Sequence, residues 1–441
     1  MLNKQTAKAI TEKLTSYVKH YATVNIMTTS NGTTRFANSE ISQNITISDT
    51  NISLTVYDGK KEATCSTNVL TDEGLKQLAN DAQAMLAFVP EGEFEIFPMS
   101  QEPVGERPCT GELATAFDAT ARAAYIKEGV AHVKDGFTAA GALNLNRHGI
   151  AAGDSKGAFR YATYDQVTFN TVVTHKDGTA GAGECCSYTT VPDVIAEFKK
   201  AQATATAAMG AVSPELGAHT VVLSPLAFAD LASYMCYMMG ADSIEDGTSF
   251  AIGKMGQRFF GENLTMIDDV NCPCSRPVFF DYEGTPRSTV TVVDKGVVNA
   301  SSFLYDNKLS AKHKVPNTGH AYTNKGRGGF PLNLQVLGGE QSLEEIIAST
   351  EKGVFINEFH YTNFVNPKTL QLTGLTRNGT FLIENGKLTK PIATVRFTES
   401  LLDAFNAITA ISKERTLVAG YMGATLAPAA RIEGFHFTSK P

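Results

Sequence analysis

Apolar and polar residues change period several times along the chain, and each change marks an element. Ala7, Ile10, Leu14, Tyr17 and Tyr21 step by three and four, which predicts a surface helix at the start. Residues 24–29, 44–48 and 52–57 alternate with period two and predict strands; Asp58-Gly59 turns the last of them into 62–67. Thr71 then precedes a helical stretch in which Leu75, Leu78, Ala82, Met85 and Leu86 share a face. Residues 91–108 hold three prolines and few large aliphatics, so a linker is predicted there. A helical pattern over 113–133 follows, then strands at 141–146, 159–164 and 167–175.

An alanine-rich helix over 191–212 is expected to end at Ser213-Pro214, because proline cannot continue it. The texture then changes. A short apolar strand, HTVVLSP, feeds an apolar helix over 226–239. Beyond Asp268 the pattern is strand and turn, interrupted by helices at 343–352 and near 399–411. Ser342 and Glu345 form a capping box for the first of these, each side chain satisfying an orphan amide. Asn378-Gly379 and Asn385-Gly386 lie seven residues apart around an alternating run, and each predicts a tight hairpin turn with positive φ. Strands and helices come in blocks, so the class is α+β. The best division is an α+β region over 1–212, itself divisible near 91–108, and a β-rich region over 213–441.

The 441 residues are 43% hydrophobic and 19% charged, enough for two or three ordinary globular domains. A net charge of −7 argues against direct nucleic-acid binding, which needs a basic face to displace counterions. The short cluster Lys312-His313-Lys314 is too small to change that. No stretch approaches the ~18 apolar residues of a membrane span, and the N-terminus lacks the apolar core of a signal peptide. Seven scattered cysteines fit reduced thiols better than a disulfide framework. The expectation is a cytoplasmic protein.

Candidate chemistry is sparse. A zinc-hydrolase helix needs two histidines on one face around a glutamate, yet none of the nine histidines is followed by glutamate. Cys272-Pro273-Cys274 is half of a thiolate site with no second half, since no later cysteine exists. Cys185 and Cys186 are adjacent, and neighbours on a strand point to opposite faces. The glycine-rich cationic run at 325–329 lacks the Gly-Lys-Ser/Thr ending of a phosphate loop, and Gly178, Gly181 and Gly183 miss dinucleotide spacing. No Gly-x-Ser-x-Gly elbow is present. Cys236 sits among Met235, Met238 and Met239, where packing explains a thiol. Asp268-Asp269 and Glu344-Glu345 are adjacent pairs that suit surface or capping roles.

Three stretches nevertheless carry a resemblance: HTVVLSPLAFADLASYM, LGGEQSLEEIIASTEKGVFINEF and TGLTRNGTFLIENGKLTKPI, with NTGHAYTNKGRGGF between the first two. In this order they resemble the TldD/PmbA proteins, also called modulators of DNA gyrase. The resemblance extends diffusely through 159–175. It implies a two-domain α+β architecture with mixed and antiparallel sheets. It also implies two-chain peptidases in which the TldD-type chain holds a metal through a His-Glu-x-x-x-His helix and a late cysteine. The PmbA (TldE) type shares the fold without those ligands.

In this chain the motif positions, by spacing from VVLSP, are Ser233, Tyr234 and Met238. Serine is a poor zinc ligand, tyrosine is no carboxylate base and methionine is too soft. The late cysteine is missing as well. The resemblance therefore implies the metal-lacking half of a peptidase, with no catalytic residue and no cofactor of its own. Zinc would reside in a partner chain, and the partner would be a TldD-type homologue or a second copy. An extended, unfolded peptide would lie in a groove lined by candidates His320, Asn324, Arg327, Thr376 and Asn378. Two alternatives accompany this reading. One is a stand-alone peptidase whose metal is held by His320, His360, Cys272 and Cys274. The other is a non-proteolytic protein that modulates a gyrase or toxin–antitoxin system.

Overall fold

The computed structural model describes residues 1–322, 328–420 and 423–440. The Asn3 side chain accepts from the Thr6 amide and starts α1 (Lys4–Ser16), which buries Ala7 and Leu14. Three strands follow, β1 (Tyr21–Ala37), β2 (Glu40–Asp58) and β3 (Lys61–Thr67); the two strands expected at 44–48 and 52–57 are one, β2. Thr71 caps α2 (Asp72–Met85), and residues 86–111 form no helix or strand. The helix expected over 113–133 is two, α3 (Glu112–Ala116) and α4 (Ala119–Val130). Asp118 separates them, because its carboxylate accepts from the Ala121 amide and so begins a new helix. Then come β4 (Phe137–Asp154), β5 (Phe159–His175), β6 (Ala180–Ser187) and α5 (Val194–Ala207). The two strands expected at 159–164 and 167–175 are thus one.

These strands make a six-stranded antiparallel sheet in the order β3-β2-β1-β4-β5-β6. Its alternating side chains feed two cores. One places Val24, Ile26, Leu54 and Val56 against Leu14, Leu75 and Leu78 of α1 and α2. The other places Leu143, Val167 and Phe169 against Phe117, which caps the end of α3, Ile126 of α4 and Phe198 of α5.

The second sheet starts at β7 (Gly217–Leu223), which leads through Ser224 into α6 (Pro225–Tyr237). Along the chain follow α7 (Ala241–Glu245), β8 (Met266–Asp268), β9 (Val290–Val293), α8 (Asn307–His313), β10 (Leu334–Val336) and α9 (Leu343–Ala348). Next are β11 (Lys352–Asn366), β12 (Gln371–Glu384), β13 (Lys387–Pro391), β14 (Arg396–Ser400), α10 (Leu401–Asn406), β15 (Ile408–Gly420) and β16 (Gly423–Ser439). The main path is β13-β12-β11-β7-β16-β10-β8-β9, with β14 joining β12 and β16 and β15 joining β16. β7 runs parallel to β11, and β10 to β16, so this sheet is mixed. The α+β class with one antiparallel and one mixed sheet is as expected.

Several details differ from the pattern. The helix expected near 399–411 stops at Asn406, and Ile408 to Ile411 already pair with β16. The short helices α7 and α8 have too few residues to show a period. Asn385-Gly386 is the hairpin turn between β12 and β13, at φ 50° and 73°. Asn378-Gly379 is not a turn. β12 continues through it as a bulge, with Glu358 facing Arg377 and Ile356 facing Thr380, so two residues oppose the single Asn357.

Candidate functional site

α6 is apolar almost throughout because it is buried on most sides. Phe228, Leu231, Ala232, Met235 and Cys236 pack in the large core of the second sheet. Its start is fixed by Ser224, whose Oγ accepts from the Leu226 and Ala227 amides and donates to the Asn357 carbonyl, while Pro225 supplies the preset φ of the first turn. The remaining polar stripe, Asp230, Ser233, Tyr234 and Tyr237, recurs at helical spacing. It faces a cleft of about 770 Å³.

β5 and β6 of the first sheet form one wall of this cleft; α6, β11, β12 and the β15–β16 corner form the other. Three carboxylates line it: Glu184 on β6, Asp230 on α6 and Glu358 on β11. Burial pushes each up, Glu184 and Glu358 to about 7 and Asp230 to about 6. Repulsion between carboxylates adds to it, from Glu358 acting on Glu184 and from Asp230 acting on Glu358. Hydrogen bonds offset part of the cost. Thr362 Oγ1 donates to Asp230 at 2.5 Å, and Asn378 Nδ2 donates to Glu358 at 2.5 Å. The β12 bulge is what turns Asn378 toward Glu358, and Asn357 Nδ2 holds the Asn378 carbonyl at 3.1 Å. Aromatic rings complete the floor, with Tyr234 edge-on to Phe364 and Tyr237 edge-on to Phe330. The arrangement can take an apolar or aromatic side chain beside groups that accept hydrogen bonds or positive charge.

The motif positions do not form a ligand set. Ser233 Oγ donates to the Ala229 carbonyl at 2.7 Å and lies 3.0 Å from Thr425 Oγ1. The Tyr234 hydroxyl donates to the Thr362 carbonyl. Met238 does not line the cleft and is buried in the core. These residues do not fit a metal ion, and among the described residues no group of three His, Cys, Asp or Glu side chains is placed to hold one.

Other expected site residues scatter. Asn378 and His360 line the cleft, and burial together with Arg377 lowers the His360 pKa. His320 corrects the sequence reading: it is fully buried, 3.0 Å from Asp268, in a core ion-pair network. Thr376 is a second correction, fully buried, with its hydroxyl accepting from the Val395 amide. Asn324 and Arg327, with residues 325–327 of the glycine-rich run, lie outside the described residues. Cys272 and Cys274 lie in a loop away from the cleft lining, so His320, His360 and the two thiols are not gathered into one site. Sequence reasoning missed Glu184, Asp230 and Glu358. Asp230 did carry a signal, as a carboxylate one turn before Ser233 in an otherwise apolar helix.

The family description of a PmbA/TldA metallopeptidase C-terminal domain matches residues 216–439, and that of PmbA/TldA metallopeptidase domain 1 matches residues 22–86. This chain belongs to the PmbA/TldD family. Among curated PmbA/TldD relatives it is 24% identical over 217 residues to a metalloprotease of Methanocaldococcus jannaschii, 47% of this chain and 46% of that one. It is 24% identical over 225 residues to a zinc metalloprotease TldD homologue of Saccharolobus solfataricus, 47% of each. The matches span about half the length of these relatives. Among solved structures, TldE from Thermococcus kodakarensis has the same fold, with a TM-score of 0.86 over 98% of this chain and all of that one at 19% identity. No helix among the described residues is long and apolar enough to cross a membrane.

Proposed function

We propose that this chain is the metal-lacking, TldE-type subunit of a two-chain cytoplasmic metallopeptidase, and that its cleft holds an extended stretch of unfolded peptide. One observation carries the reading. In a PmbA/TldD fold, the positions that would bind and activate through metal hold Ser233, Tyr234 and Met238, two of them engaged with backbone carbonyls and the third in the core. The cleft beside them is nonetheless open, walled by both sheets, and lined by strand β11 and the bulged β12. Its aromatic floor and carboxylates suit peptide side chains, and strands offer backbone groups that any sequence can pair with. The metal, zinc by the relative's name, would reside in a TldD-type partner. This chain would then bind and position substrate rather than perform the chemistry.

The test is reconstitution. The chain is incubated with an unfolded protein such as denatured casein, alone and with a purified TldD-type homologue, with and without a strong chelator. Turnover is expected only in the mixture and is expected to vanish on chelation. Turnover by this chain alone in chelator would refute the proposal. Placing a bulky side chain in the cleft, Ser233→Trp, is expected to lower turnover of the mixture by at least tenfold while leaving the two chains associated.

A further inference from the structure

Cys272-Pro273-Cys274 lies outside the cleft and has no part in the function above. Its two Sγ atoms are 3.3 Å apart, and both side chains are half-buried, not sealed in the core. Among the described residues no other two cysteine sulfurs lie within hydrogen-bonding range. Cys236 is fully buried, Cys185 and Cys186 project from opposite faces of β6, and Cys65 and Cys109 stand separately.

The loop that carries the pair is held from three directions. At its entry Asp268 is fixed by Arg287, by His320 and by the amides of Leu332 and Asn333, the last two at 2.8 Å. Across its top lies Arg107, from the segment 86–111 between α2 and α3. Its guanidinium donates to five successive or near-successive carbonyls, those of Val270, Asn271, Cys272, Pro273 and Ser275, at 3.1–3.3 Å. At its exit Asn333 Nδ2 donates to the Arg276 carbonyl, and the Arg276 guanidinium sits over the Tyr164 ring of β5. Inside the loop the Ser275 amide closes a turn on the Cys272 carbonyl at 3.0 Å. Pro273 restricts the one residue between the sulfurs. The thiols are therefore held near bonding range by backbone that is already ordered, so most of the entropy of ring closure is spent on folding. A disulfide needs a further contraction of roughly 1.3 Å, to the usual S–S length of about 2.0 Å.

We infer that Cys272 and Cys274 form a redox-active dithiol site, oxidised to an intraloop disulfide by exchange with a small disulfide, at the seam where the 86–111 segment meets the β8–β9 loop of the second sheet. The Cys272 sulfur attacks one sulfur of the oxidant, whose S–S bond breaks and whose first thiol leaves with the proton Cys272 gave up. The Cys274 sulfur then attacks Cys272 in the mixed disulfide, and its proton goes to the second departing thiol. One disulfide forms and one is reduced to two thiols. Burial and the neighbouring Cys272 sulfur push the Cys274 thiol up to about 11, which suits Cys274 to the second, intraloop attack, where proximity compensates for a scarce thiolate.

The experiment equilibrates the full chain with reduced and oxidised glutathione at a series of ratios, under native conditions and in urea. Remaining thiols are alkylated and mapped by mass spectrometry. Expected in the native chain is loss of two of the seven thiols, a bond mapped to Cys272 and Cys274, and full reversal by dithiothreitol. The native equilibrium constant is expected to exceed that in urea by at least tenfold. Cys272→Ser is expected to abolish the two-thiol loss. Seven alkylated cysteines at every ratio, a bond mapped elsewhere, or equal constants in the native and urea-unfolded chain would each overturn the inference.

Discussion

At the residue scale the cleft is defined by groups that are costly to ionise. Glu358 has its pKa raised to about 7 chiefly by burial, against an ordinary 4.5. The folded chain therefore holds a proton there more tightly than the unfolded chain does. That contribution is fully present below the unfolded pKa and is lost as pH rises through the folded one, between about 4.5 and 7. Glu358→Gln keeps an acceptor for Asn378 and removes the charge. It is expected to stabilise the protein by about 1–2 kcal/mol at pH 8 and by almost nothing at pH 4, a difference that urea melts at the two pH values would show. Gly379 is the second residue of interest. It sits at φ 120°, and an added Cβ would lie 2.6 Å from Thr204 Cγ2 of α5. Gly379→Ala is expected to cost about 1–3 kcal/mol and to disturb the Asn378–Glu358 bond, whereas Gly386→Ala, whose added Cβ would lie 2.3 Å from the Ala348 carbonyl oxygen of α9, is expected to destabilise the turn and α9 but to leave that bond in place. Denaturant midpoints of the two variants, together with the Glu358 pKa by NMR, separate these effects.

At the element scale α6 is the part that aims the cleft. Its apolar face is locked into the core, so its register fixes where Asp230, Ser233 and Tyr234 point. Ser224 sets that register by capping two amides and reaching the Asn357 carbonyl of β11. Ser224→Ala is expected to cost about 1–2 kcal/mol in thermal or urea unfolding, since it orphans buried helix amides and a strand carbonyl together. Ser224→Asp restores the cap alone and is expected to recover less than the full loss. Equal stability of Ser224→Ala and wild type would show that packing, not the cap, sets the register.

At the scale of the whole molecule one buried network ties distant segments. Asp268 ends β8, its partners Arg287 and His320 come from the loops after it, and Leu332 and Asn333 complete the ring. Arg287 holds the carboxyl well below the usual carboxylate range, although burial works against that. Asp268→Asn leaves a buried guanidinium without its counter-charge and is expected to cost about 3–5 kcal/mol. His320 adds a pH limb of its own, because burial first and Arg287 second lower its pKa. Stability from this group is present above the unfolded histidine pKa and is lost as pH falls through the lower folded value. The acid limb of the stability profile is expected to flatten in His320→Gln.

Hydrophobic period was sufficient for β1 and α2, because in each the buried face recurs with the period of its own backbone; α6 was legible as an apolar run and α9 by its capping box, though α9 ends at Ala348 and not at 352, where β11 has already begun. That Ser233, Tyr234 and Met238 make a poor zinc-ligand set is a matter of residue identity alone and is read directly from the sequence. Local signals failed where a tertiary contact outweighed them. Asn378-Gly379 reads as a hairpin, yet β12 pairs with β11 on both sides of it, and the ladder turns the pair into a bulge. His320 and Thr376 look available in sequence, and the core claims both. The cleft itself needed the two sheets brought together: Glu184 comes from one, Asp230 and Glu358 from the other, and nothing in their sequence separation announces that they share one pocket. Composition and period determine what a segment can bury, but which carboxylates are desolvated side by side is decided only when separate elements pack.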